Sequence, residues 1–352
     1  MTPPTETNLK NHEDLTLLTY MQKEESLSLP KIKDILTTNP CQASLQDPQT
    51  GKSPLMISAS QGNIEVCSYL LSQGAPWNAI DKHGKCAGNY AVDGNHQECI
   101  DLLVNHGVQS ELILNSINKD QQASPDIITS TKPEYLSNHR LKYTNRELID
   151  KDGDAVMMEW ERPLMSAHAS IITNNQKNKR VLNVGFGMGI IDSILQEYEP
   201  SLHVIIEAHP DVYNKILKDK WDTKPNVKIY FGKWQDVIPQ LITENISFDG
   251  IFWDTYGEDF QLFQKWNSYI PSILSNHGTY SYFNGFCPDN VFFQGVISQI
   301  ILLSLQGMGL KVDLYPCEIQ VNSEEWKDVK REYWCNNTYY LPVVTWNDVE
   351  DS

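Results

Sequence analysis

The stretch Val181-Leu-Asn-Val-Gly-Phe-Gly-Met-Gly-Ile-Ile-Asp192 decides the fold of the chain. Val181, Leu182 and Val184 form a short apolar run typical of a buried strand, and the residues from Ile190 onward resume with helical spacing. Between them, Gly185, Gly187 and Gly189 allow a tight turn whose backbone is open to a ligand. The stretch therefore predicts a strand, a glycine turn and a helix, with space for a small molecule beside the turn.

The spacing of the glycines bears on the ligand. A dinucleotide fingerprint, Gly-x-Gly-x-x-Gly, would need its third glycine where this chain has Ile190, which disfavours a pyrophosphate. The next apolar run, Leu202–Ile206, ends at Glu207, an acid placed to accept hydrogen bonds from ribose hydroxyls. Adenosine without pyrophosphate suggests S-adenosylmethionine. The structural alternative is that the turn is only a packing device and Glu207 an exposed strand end.

Length, composition and net charge narrow the class of protein. The chain has 352 residues, 40% hydrophobic and 21% charged, which is ordinary for a globular protein of two or three domains. Its net charge of −17 and pI near 4.9 argue against nonspecific binding to nucleic acid or anionic membranes. We expect a basic partner, with no direct nucleic-acid or membrane contact.

The seven cysteines are scattered and never spaced as Cys-x-x-Cys, so neither a disulfide framework nor a zinc site is predicted. The stretch from Met1 to Asp14 lacks a charged-then-apolar signal pattern, and the most apolar helical run, Val296 to Leu305, is short. We expect a cytoplasmic protein, with a nuclear location also compatible.

A repeat occupies residues 13–112. Gly51-Lys-Ser-Pro-Leu55, the paired leucines 70 and 71, and Gly74-Ala75 match the ankyrin pattern of a turn, two antiparallel helices and a loop. Gly84, Leu103 and Gly107 repeat Gly51, Leu70 and Gly74 at the ankyrin period of about 33 residues. The pattern predicts a second full unit.

An upstream partial unit containing Ile35, Leu36 and Asn39 would cap this stack. We therefore expect an all-α ankyrin-repeat domain over residues 1–115, with two full repeats and a partial cap. Such arrays usually recognise a protein partner, which is the preferred interpretation, and the alternative is a stabilising appendage.

The chain turns polar from Ser116 to Pro133, which predicts a linker over residues 116–133 and a second domain over residues 134–352. Short apolar runs alternate with helical segments in the second domain, which predicts a mainly parallel α/β sheet with helices on both faces. The predicted strands are Val181–Val184, Leu202–Ile206, Val227–Tyr230, Gly250–Trp253 and Thr279–Phe283, and Glu332–Thr345 is expected to close a hairpin.

Ligands of such sheets bind where the strands end. Trp234 follows the third predicted strand and could stack on adenine, or could simply fill the core. Asp254 follows the fourth and could accept a hydrogen bond or a proton from a bound donor, or could only form a turn. Upstream of the glycine turn, Glu159 and Glu161 add an acidic cluster. Acids from two distant segments are therefore able to converge on one ligand.

Five motifs in this domain resemble guanidinoacetate N-methyltransferase in order and approximate spacing. They are Met157-Met-Glu-Trp-Glu-Arg-Pro-Leu-Met165, Gly185-Phe-Gly-Met-Gly189, Glu207-Ala-His209, Gly232-Lys-Trp-Gln-Asp236 and Phe248-Asp-Gly-Ile-Phe-Trp-Asp-Thr-Tyr256. With ankyrin repeats in front, the whole chain resembles the protein arginine delta-N-methyltransferases, the type IV enzymes of fungi and plants. The resemblance implies a Rossmann-like class I methyltransferase fold and S-adenosylmethionine as cofactor.

The resemblance also implies roles for matching residues. The glycine turn would border the methionine end of the cofactor, Glu207 the ribose, and Trp234 with Gln235 the adenine. A tyrosine, Tyr135 or Tyr143, would cover the cofactor, with Tyr143 as our choice. The implied cofactor-binding set is Tyr143, Met157, Glu161, Met165, Gly185, Phe186, Gly187, Met188, Gly189, Ile190, Glu207, Ala208, His209, Trp234, Gln235 and Asp254.

Glu161 and Asp254 would bind the guanidinium of the substrate and are the implied catalytic residues. Guanidinium is a planar group with five N–H donors and a pKa above about 12. One of its nitrogens therefore becomes nucleophilic only as it transfers a proton to a base. We expect Asp254 to act as the base and Glu161 mainly as a clamp.

Three departures from the small-molecule enzyme bear on the substrate. Asn183 stands where that enzyme has an acid, Arg162 replaces an uncharged residue, and Gly257-Glu258-Asp259 continues differently after the aspartate motif. A more acidic mouth would suit a protein-bound arginine, and the resemblance points to a ribosomal large-subunit protein as substrate. The alternatives are a small-molecule guanidino methyltransferase and a noncatalytic ankyrin adaptor; the oligomeric state is left open.

Overall fold

The computed structural model of the chain describes residues 16–24, 26–120, 136 and 140–347. The chain forms two units, one made of Met1–Gln121 with Asn290–Ile297 and the other of Gln122–Asp289 with Ser298–Ser352. None of the helices in the described ranges is long and apolar enough to cross a membrane.

The first unit is built from antiparallel helix pairs, as its repeat predicts. Two polar caps start its central helices: the buried Ser53 side chain accepts from the Met56 amide at 3.2 Å, and the half-buried Asn63 side chain accepts from the Val66 amide at 3.1 Å. Gly74 adopts a left-handed φ of +82° after the fourth helix and ends it. The helices are α1 (Leu17–Lys23), α2 (Leu29–Thr38), α3 (Pro54–Ser60), α4 (Ile64–Ser72), α5 (Ala87–Asp93) and α6 (Gln97–Asp120).

The structure extends the sequence interpretation of this unit at both ends. The predicted partial cap around Ile35 and Leu36 is a complete helix pair, because α1 packs ahead of α2. At the other end, Gly107 does not terminate a helix as Gly74 does, since α6 continues to Asp120. The first residues of the expected linker, 116–120, are therefore helical, and residues 121–133 lie outside the described ranges.

Residues 290–297, which sequence analysis assigns to the second domain, group with the first unit. The Asn290 side chain donates to the Asn89 side chain at 2.9 Å. Phe292 lies against Gly88, where an added Cβ would come 2.1 Å from its ring, so only glycine fits at that position. These contacts are long-range, which is why no local pattern reveals them.

The second unit carries the α/β sheet. A small antiparallel sheet, β1 (Lys142–Tyr143), β2 (Glu147–Ile149) and β3 (Ala155–Met158), comes first. The strands of the large sheet are β4 (Arg180–Val184), β5 (Leu202–Glu207), β6 (Val227–Phe231), β7 (Phe248–Trp253), β8 (Leu274–Tyr282), β9 (Leu310–Glu318) and β10 (Thr338–Trp346). The helices of this unit are α7 (Arg162–Thr173), α8 (Ile190–Glu197), α9 (Pro210–Lys218), α10 (Trp234–Thr243), α11 (Phe260–Asn267) and α12 (Ile270–Ile273), and α13 (Val291–Gln306) runs from residues of the first unit into it.

The large sheet has the order β6-β5-β4-β7-β8-β10-β9. The pairs from β6 through β8 are parallel, and β10 runs antiparallel to both β8 and β9. The prediction of a mainly parallel sheet is confirmed, and a closing hairpin strand forms, although it begins at Thr338 and not at Glu332 as predicted. The residues of β4 after Arg180 are all buried, as expected for a strand covered on both faces.

The strand order reverses at β4. The chain proceeds from β4 to β5 and β6 on one side and then returns to place β7 on the other side. In open α/β sheets, this reversal leaves a crevice beyond the carboxyl ends of the two central strands. Gly185 follows β4 and Asp254 follows β7, so the topology brings the glycine turn and the predicted base to one edge.

Candidate active site

The glycine turn after β4 is held against the residue that follows β7. Gly185 has a φ of +92°, and a Cβ added there would come 1.8 Å from the carbonyl oxygen of Asp254. Gly189 has a φ of +71° and begins α8. A side chain at Gly185 would therefore require both an unfavourable backbone angle and a displaced strand end.

Glu207 fastens this turn from the end of β5. Its carboxylate accepts the Phe186 amide at 2.9 Å and the His209 amide at 2.6 Å. Burial raises the pKa of Glu207, and these backbone hydrogen bonds oppose the rise by stabilising the charged form. The acid is thus a buried acceptor facing the crevice.

A cavity adjoins the turn, and we call it the glycine-turn cavity. It runs from the ends of β4 and β5 to the start of α10 and to the residues after β7. Nine of the sixteen residues predicted to bind the cofactor line it: Met157, Gly185, Gly187, Glu207, Ala208, His209, Trp234, Gln235 and Asp254. Its other lining residues are Leu136, Val156, Val184, Ile206, Val212, Gly232, Lys233, Thr255, Tyr256 and Glu258.

The other seven predicted residues are not part of the described lining of this cavity. The Tyr143 hydroxyl donates to the Gly187 carbonyl at 3.1 Å, and the Met188 amide lies 3.2 Å from the Met157 sulfur. Phe186 packs edge-on against Trp221. Met165, Phe186 and Ile190 are core residues, Gly189 starts α8, and Glu161 lines a second cavity. Tyr135, the other candidate cover, lies outside the described residues.

Trp234 and Gln235 meet an acid that the sequence analysis noted only as a departure. The Trp234 indole nitrogen donates to both carboxylate oxygens of Glu258 at 2.9 Å, and the Gln235 amide nitrogen donates to the same carboxylate at 3.3 Å. Trp234 also packs edge-on against Trp266. The Gln235 side-chain oxygen is buried and has no hydrogen-bond partner among the described residues. That oxygen is available to an amino group in the cavity.

A second cavity, the acid-pair cavity, holds both predicted catalytic residues. Glu161, at the start of α7, and Asp254, after β7, line it together. Its other lining residues are Asp154, Ala155, Val156, Trp253, Thr255, Tyr256, Gly257, Glu258, Phe283, Gly285, Phe286, Pro288, Arg331 and Tyr333. Asp254 lines both cavities, so a group bound between the acids would lie next to the glycine-turn cavity.

The two acids are held differently. One oxygen of Glu161, Oε1, accepts the Met158 amide at 2.9 Å and the Tyr333 hydroxyl at 2.5 Å. The Asp254 carboxylate has no hydrogen-bond partner among the described residues, although the Asp254 amide donates to the Val184 carbonyl at 2.9 Å. Two hydrogen bonds therefore fix the Glu161 carboxylate, whereas both oxygens of the Asp254 carboxylate can accept hydrogen bonds from a ligand.

Burial disfavours the ionised form of both acids, and the negative charge of Asp254 adds to this effect at Glu161. Burial, followed by the negative charge of Asp254, raises the pKa of Glu161 to about 8. Burial alone raises the pKa of Asp254 to about 7. A cation between the two carboxylates would stabilise their charged forms and so oppose both pKa shifts, and perturbed acids in a cleft are typical of functional sites.

Tyr333 and Arg331 in the acid-pair cavity were missed by the sequence analysis. They belong to the connection between β9 and β10, and Tyr333 reaches Glu161 across 172 positions of sequence. Arg331 pairs with Asp154 at 3.2 Å. No spacing rule links these segments, so only the fold could place them here. Glu258, by contrast, lies five residues after the end of β7, in the loop that also carries Asp254, and could have been proposed on that ground.

Two family models match the chain. Residues 137–286 match the model of guanidinoacetate N-methyltransferase, and residues 18–113 match three copies of ankyrin repeats. The three copies agree with the three helix pairs of the first unit, one more complete repeat than the sequence analysis predicted. The predicted fold, an ankyrin-repeat region followed by a methyltransferase domain, is confirmed.

Similar curated proteins cover nearly the whole chain. Protein arginine N-methyltransferase 2 of Cryptococcus neoformans is 32% identical over 95% of this chain and 97% of its own length. The protein of the same name from Candida glabrata is 31% identical over 85% of each chain, and that of Yarrowia lipolytica is 34% identical over 75% of this chain and 57% of its own.

Among solved structures, spermidine synthase of Thermotoga maritima aligns with a TM-score of 0.42 and 12% identity over 60% of this chain and 69% of its own. Because this structural similarity is low, the curated relatives are what identify the family. The chain belongs to the protein arginine N-methyltransferase 2 family of S-adenosylmethionine-dependent enzymes.

Proposed function

We propose that this enzyme methylates the internal, delta nitrogen of an arginine side chain in a protein substrate, with Glu161 and Asp254 holding the guanidinium. The observation that carries the proposal is that these acids, from distant segments, line one cavity and that Asp254 also lines the glycine-turn cavity. The nitrogen held at Asp254 would therefore be the one nearest the methyl donor.

The glycine-turn cavity fits S-adenosylmethionine. Bare backbone at Gly185 and Gly187 gives close access, Glu207 can accept hydrogen bonds from ribose, and the unpartnered Gln235 oxygen can accept one from the adenine amino group. The bound cofactor supplies an electrophilic methyl group on a sulfonium. The residues of the cavity orient and desolvate that group, and such positioning accounts for much of the rate of an in-line transfer.

The acid pair prepares the nitrogen. Glu161 has one oxygen occupied by two donors, so its other oxygen, Oε2, is the one available to guanidinium. Asp254 is free to accept an N–H and to take its proton as the nitrogen becomes nucleophilic. We infer that Glu161 is the clamp and Asp254 the base.

The choice of the internal nitrogen follows from the sequence resemblance to the type IV enzymes. The terminal nitrogens of guanidinium carry four of its five N–H groups and would donate to Glu161, whereas the internal nitrogen would donate its single N–H to Asp254. The internal nitrogen becomes the nucleophile as Asp254 takes that proton.

A protein substrate is supported by the family and by charge. The described lining of the acid-pair cavity contains four acids, Asp154, Glu161, Asp254 and Glu258, against one cation, Arg331. Together with the net charge of −17, this lining would attract a basic protein segment. The substrate we favour, from the sequence resemblance, is a ribosomal large-subunit protein, met in the cytoplasm or the nucleus.

Arg331 favours one alternative, a small guanidino acid as substrate. Its side chain is exposed and pairs with Asp154 through Nε, so its terminal nitrogens could bind a substrate carboxylate. Such a substrate would place its guanidinium between the acids and its carboxylate at Arg331. The alternative predicts that Arg331→Ala abolishes turnover of guanidinoacetate.

Incubation with labelled cofactor distinguishes these functions. Ribosomal proteins and guanidinoacetate are offered separately, and the modified arginine is fragmented in a mass spectrometer. We expect labelled protein whose fragments carry the methyl on the internal nitrogen. Label on a terminal nitrogen would overturn the delta assignment, and label on guanidinoacetate alone would establish the small-molecule alternative.

A further inference from the structure

The hydroxyl of Tyr333 completes the environment of Glu161. It donates to Glu161 Oε1 at 2.5 Å, and the Met158 amide donates to the same oxygen at 2.9 Å. Glu161 Oε2 accepts no hydrogen bond from the described residues. Because both donors act on one oxygen, the carboxylate can present its other oxygen to the cavity.

The ring of Tyr333 is itself held by aromatic neighbours. Its centroid lies 5.0 Å from that of Trp326, which meets it edge-on, and 5.8 Å from that of Trp160. Trp160 precedes Glu161 directly, so the residues flanking the acid pack on the ring that donates to it. The contacts of the ring with Trp326 and Trp160 limit the positions that the Tyr333 hydroxyl can occupy.

We propose that Tyr333 is a positioning residue for arginine methylation, which locks Glu161 Oε1 so that Oε2 receives the guanidinium. This inference rests on the proposed function, since it assumes that Glu161 binds the substrate. Tyr333 would act through Glu161, and its contribution would appear in substrate binding and not in cofactor binding.

The hydroxyl also affects the protonation of Glu161. Asp254 faces Glu161 across the cavity and raises its pKa, whereas the hydrogen bonds from Tyr333 and from the Met158 amide lower it. Tyr339 lies near enough that the charges of both acids raise its own pKa, and Asp154 and Arg331 complete the charged lining. Removing the Tyr333 hydroxyl would therefore leave Glu161 protonated up to a higher pH.

The first test compares Tyr333→Phe with a matched control, Tyr315→Phe, in the full-length enzyme. Tyr315 is an exposed tyrosine of β9 that is absent from the lining of both cavities. We expect Tyr333→Phe to lower kcat/KM for an arginine peptide about tenfold to hundredfold, mainly through KM, since a hydrogen bond to a charged group is lost. The acidic limb of its pH profile should move to higher pH, with the melting temperature and the affinity for S-adenosylhomocysteine unchanged.

A double-mutant cycle separates positioning from general damage. Peptide affinity is measured in the presence of S-adenosylhomocysteine for the wild type, Tyr333→Phe, Glu161→Gln and the double variant. If Tyr333 acts through Glu161, its substitution should change affinity less than about twofold in the Glu161→Gln background. An equal loss in both backgrounds, or an unmoved pH profile in Tyr333→Phe, would overturn the inference.

The wild-type assay keeps the two proposals distinct. If the wild type methylates the peptide and Tyr333→Phe matches it in KM and pH profile, the inference fails and the proposed function stands. If the wild type transfers no methyl to any arginine peptide or protein, the proposed function fails, and the positioning role falls with it.

Discussion

The glycine-turn cavity and the acid-pair cavity meet at Asp254 but are built in different ways. Each contains a buried glutamate that accepts two hydrogen bonds. Both donors to Glu207 are backbone amides. The Phe186 amide belongs to the glycine turn, and the His209 amide lies two residues after Glu207 itself. Glu161 takes one local amide and one side-chain hydroxyl from 172 positions away.

This contrast determines which substitutions alter each cavity. Backbone donors survive most substitutions, so the glycine-turn cavity depends on a few glycines and on the topology of the sheet. The acid-pair cavity depends on side chains from the segments after β3, β7, β8 and β9. Cofactor binding should therefore be sensitive to backbone geometry, and substrate binding to single side-chain atoms.

The largest expected effect is at the junction of the two cavities. Asp254→Asn keeps the shape of the side chain but removes the proposed base, so we expect methyl transfer to fall about a thousandfold. Cofactor affinity, measured by calorimetry with S-adenosylhomocysteine, should remain within a few fold of the wild type. The exposed Asp222→Asn serves as control. Normal turnover by Asp254→Asn would remove Asp254 from the mechanism.

The next effect tests the backbone of the glycine-turn cavity. Gly185→Ala combines a φ of +92° with a Cβ placed 1.8 Å from a backbone oxygen, and we expect about a hundredfold weaker binding of S-adenosylhomocysteine. Gly309→Ala is the matched control, because its φ is +81° but nothing lies within 4 Å of the added Cβ. Equal behaviour of the two variants would mean that the close approach to Asp254 is unimportant.

A third effect is the pH dependence of the acid-pair cavity. Raised carboxyl pKa values, about 7 for Asp254 and about 8 for Glu161, mean that both acids are neutral at lower pH and gain charge as pH rises. Since guanidinium binding needs both anions, kcat/KM for an arginine peptide should rise about 25-fold from about pH 6.5 to about pH 7.5. Full activity persisting down to about pH 5 would contradict this, because it would place both acids near their ordinary pKa values.

The smallest effect concerns one side-chain acceptor in the glycine-turn cavity. Gln235→Met removes the unpartnered oxygen and should weaken S-adenosylhomocysteine binding about tenfold, with the KM for peptide unchanged at saturating cofactor. The control, Gln240→Met, alters an exposed glutamine of the same helix. A tenfold change in peptide KM instead would indicate that Gln235 belongs functionally to the acid-pair cavity.

Local patterns were sufficient for much of the fold. The apolar runs ending at Val184, Ile206 and Trp253 predicted three strands of the sheet, and all three form with their ends displaced by at most two residues. The ankyrin period predicted the helix pairs but not the end of α6, because Gly107 sits in a helix that continues to Asp120. The hydrophobic period of a sequence predicts which face of a helix or strand is buried, but it predicts less well the residue at which that element ends.

The candidate site divides in the same way. Gly185, Glu207 and Asp254 follow strand ends, so chain order and the rule for parallel sheets suffice to expect them at one edge. Tyr333 and Arg331 come from a connection with no motif, and they reach the acid-pair cavity only because β10 pairs with β9 at the antiparallel end of the sheet.

By itself, the sequence determined the two-part organisation, the glycine turn and the identity of the two acids, because hydrophobic period, backbone freedom and chemical type are local properties. Only the tertiary structure places Glu161 and Asp254 in one cavity, anchors Glu161 while leaving the Asp254 carboxylate without a hydrogen-bond partner among the described residues, and raises the pKa of both by burial. Distance, desolvation and hydrogen-bond partnership depend on residues far apart in the chain, and they come into being only when the sheet assembles.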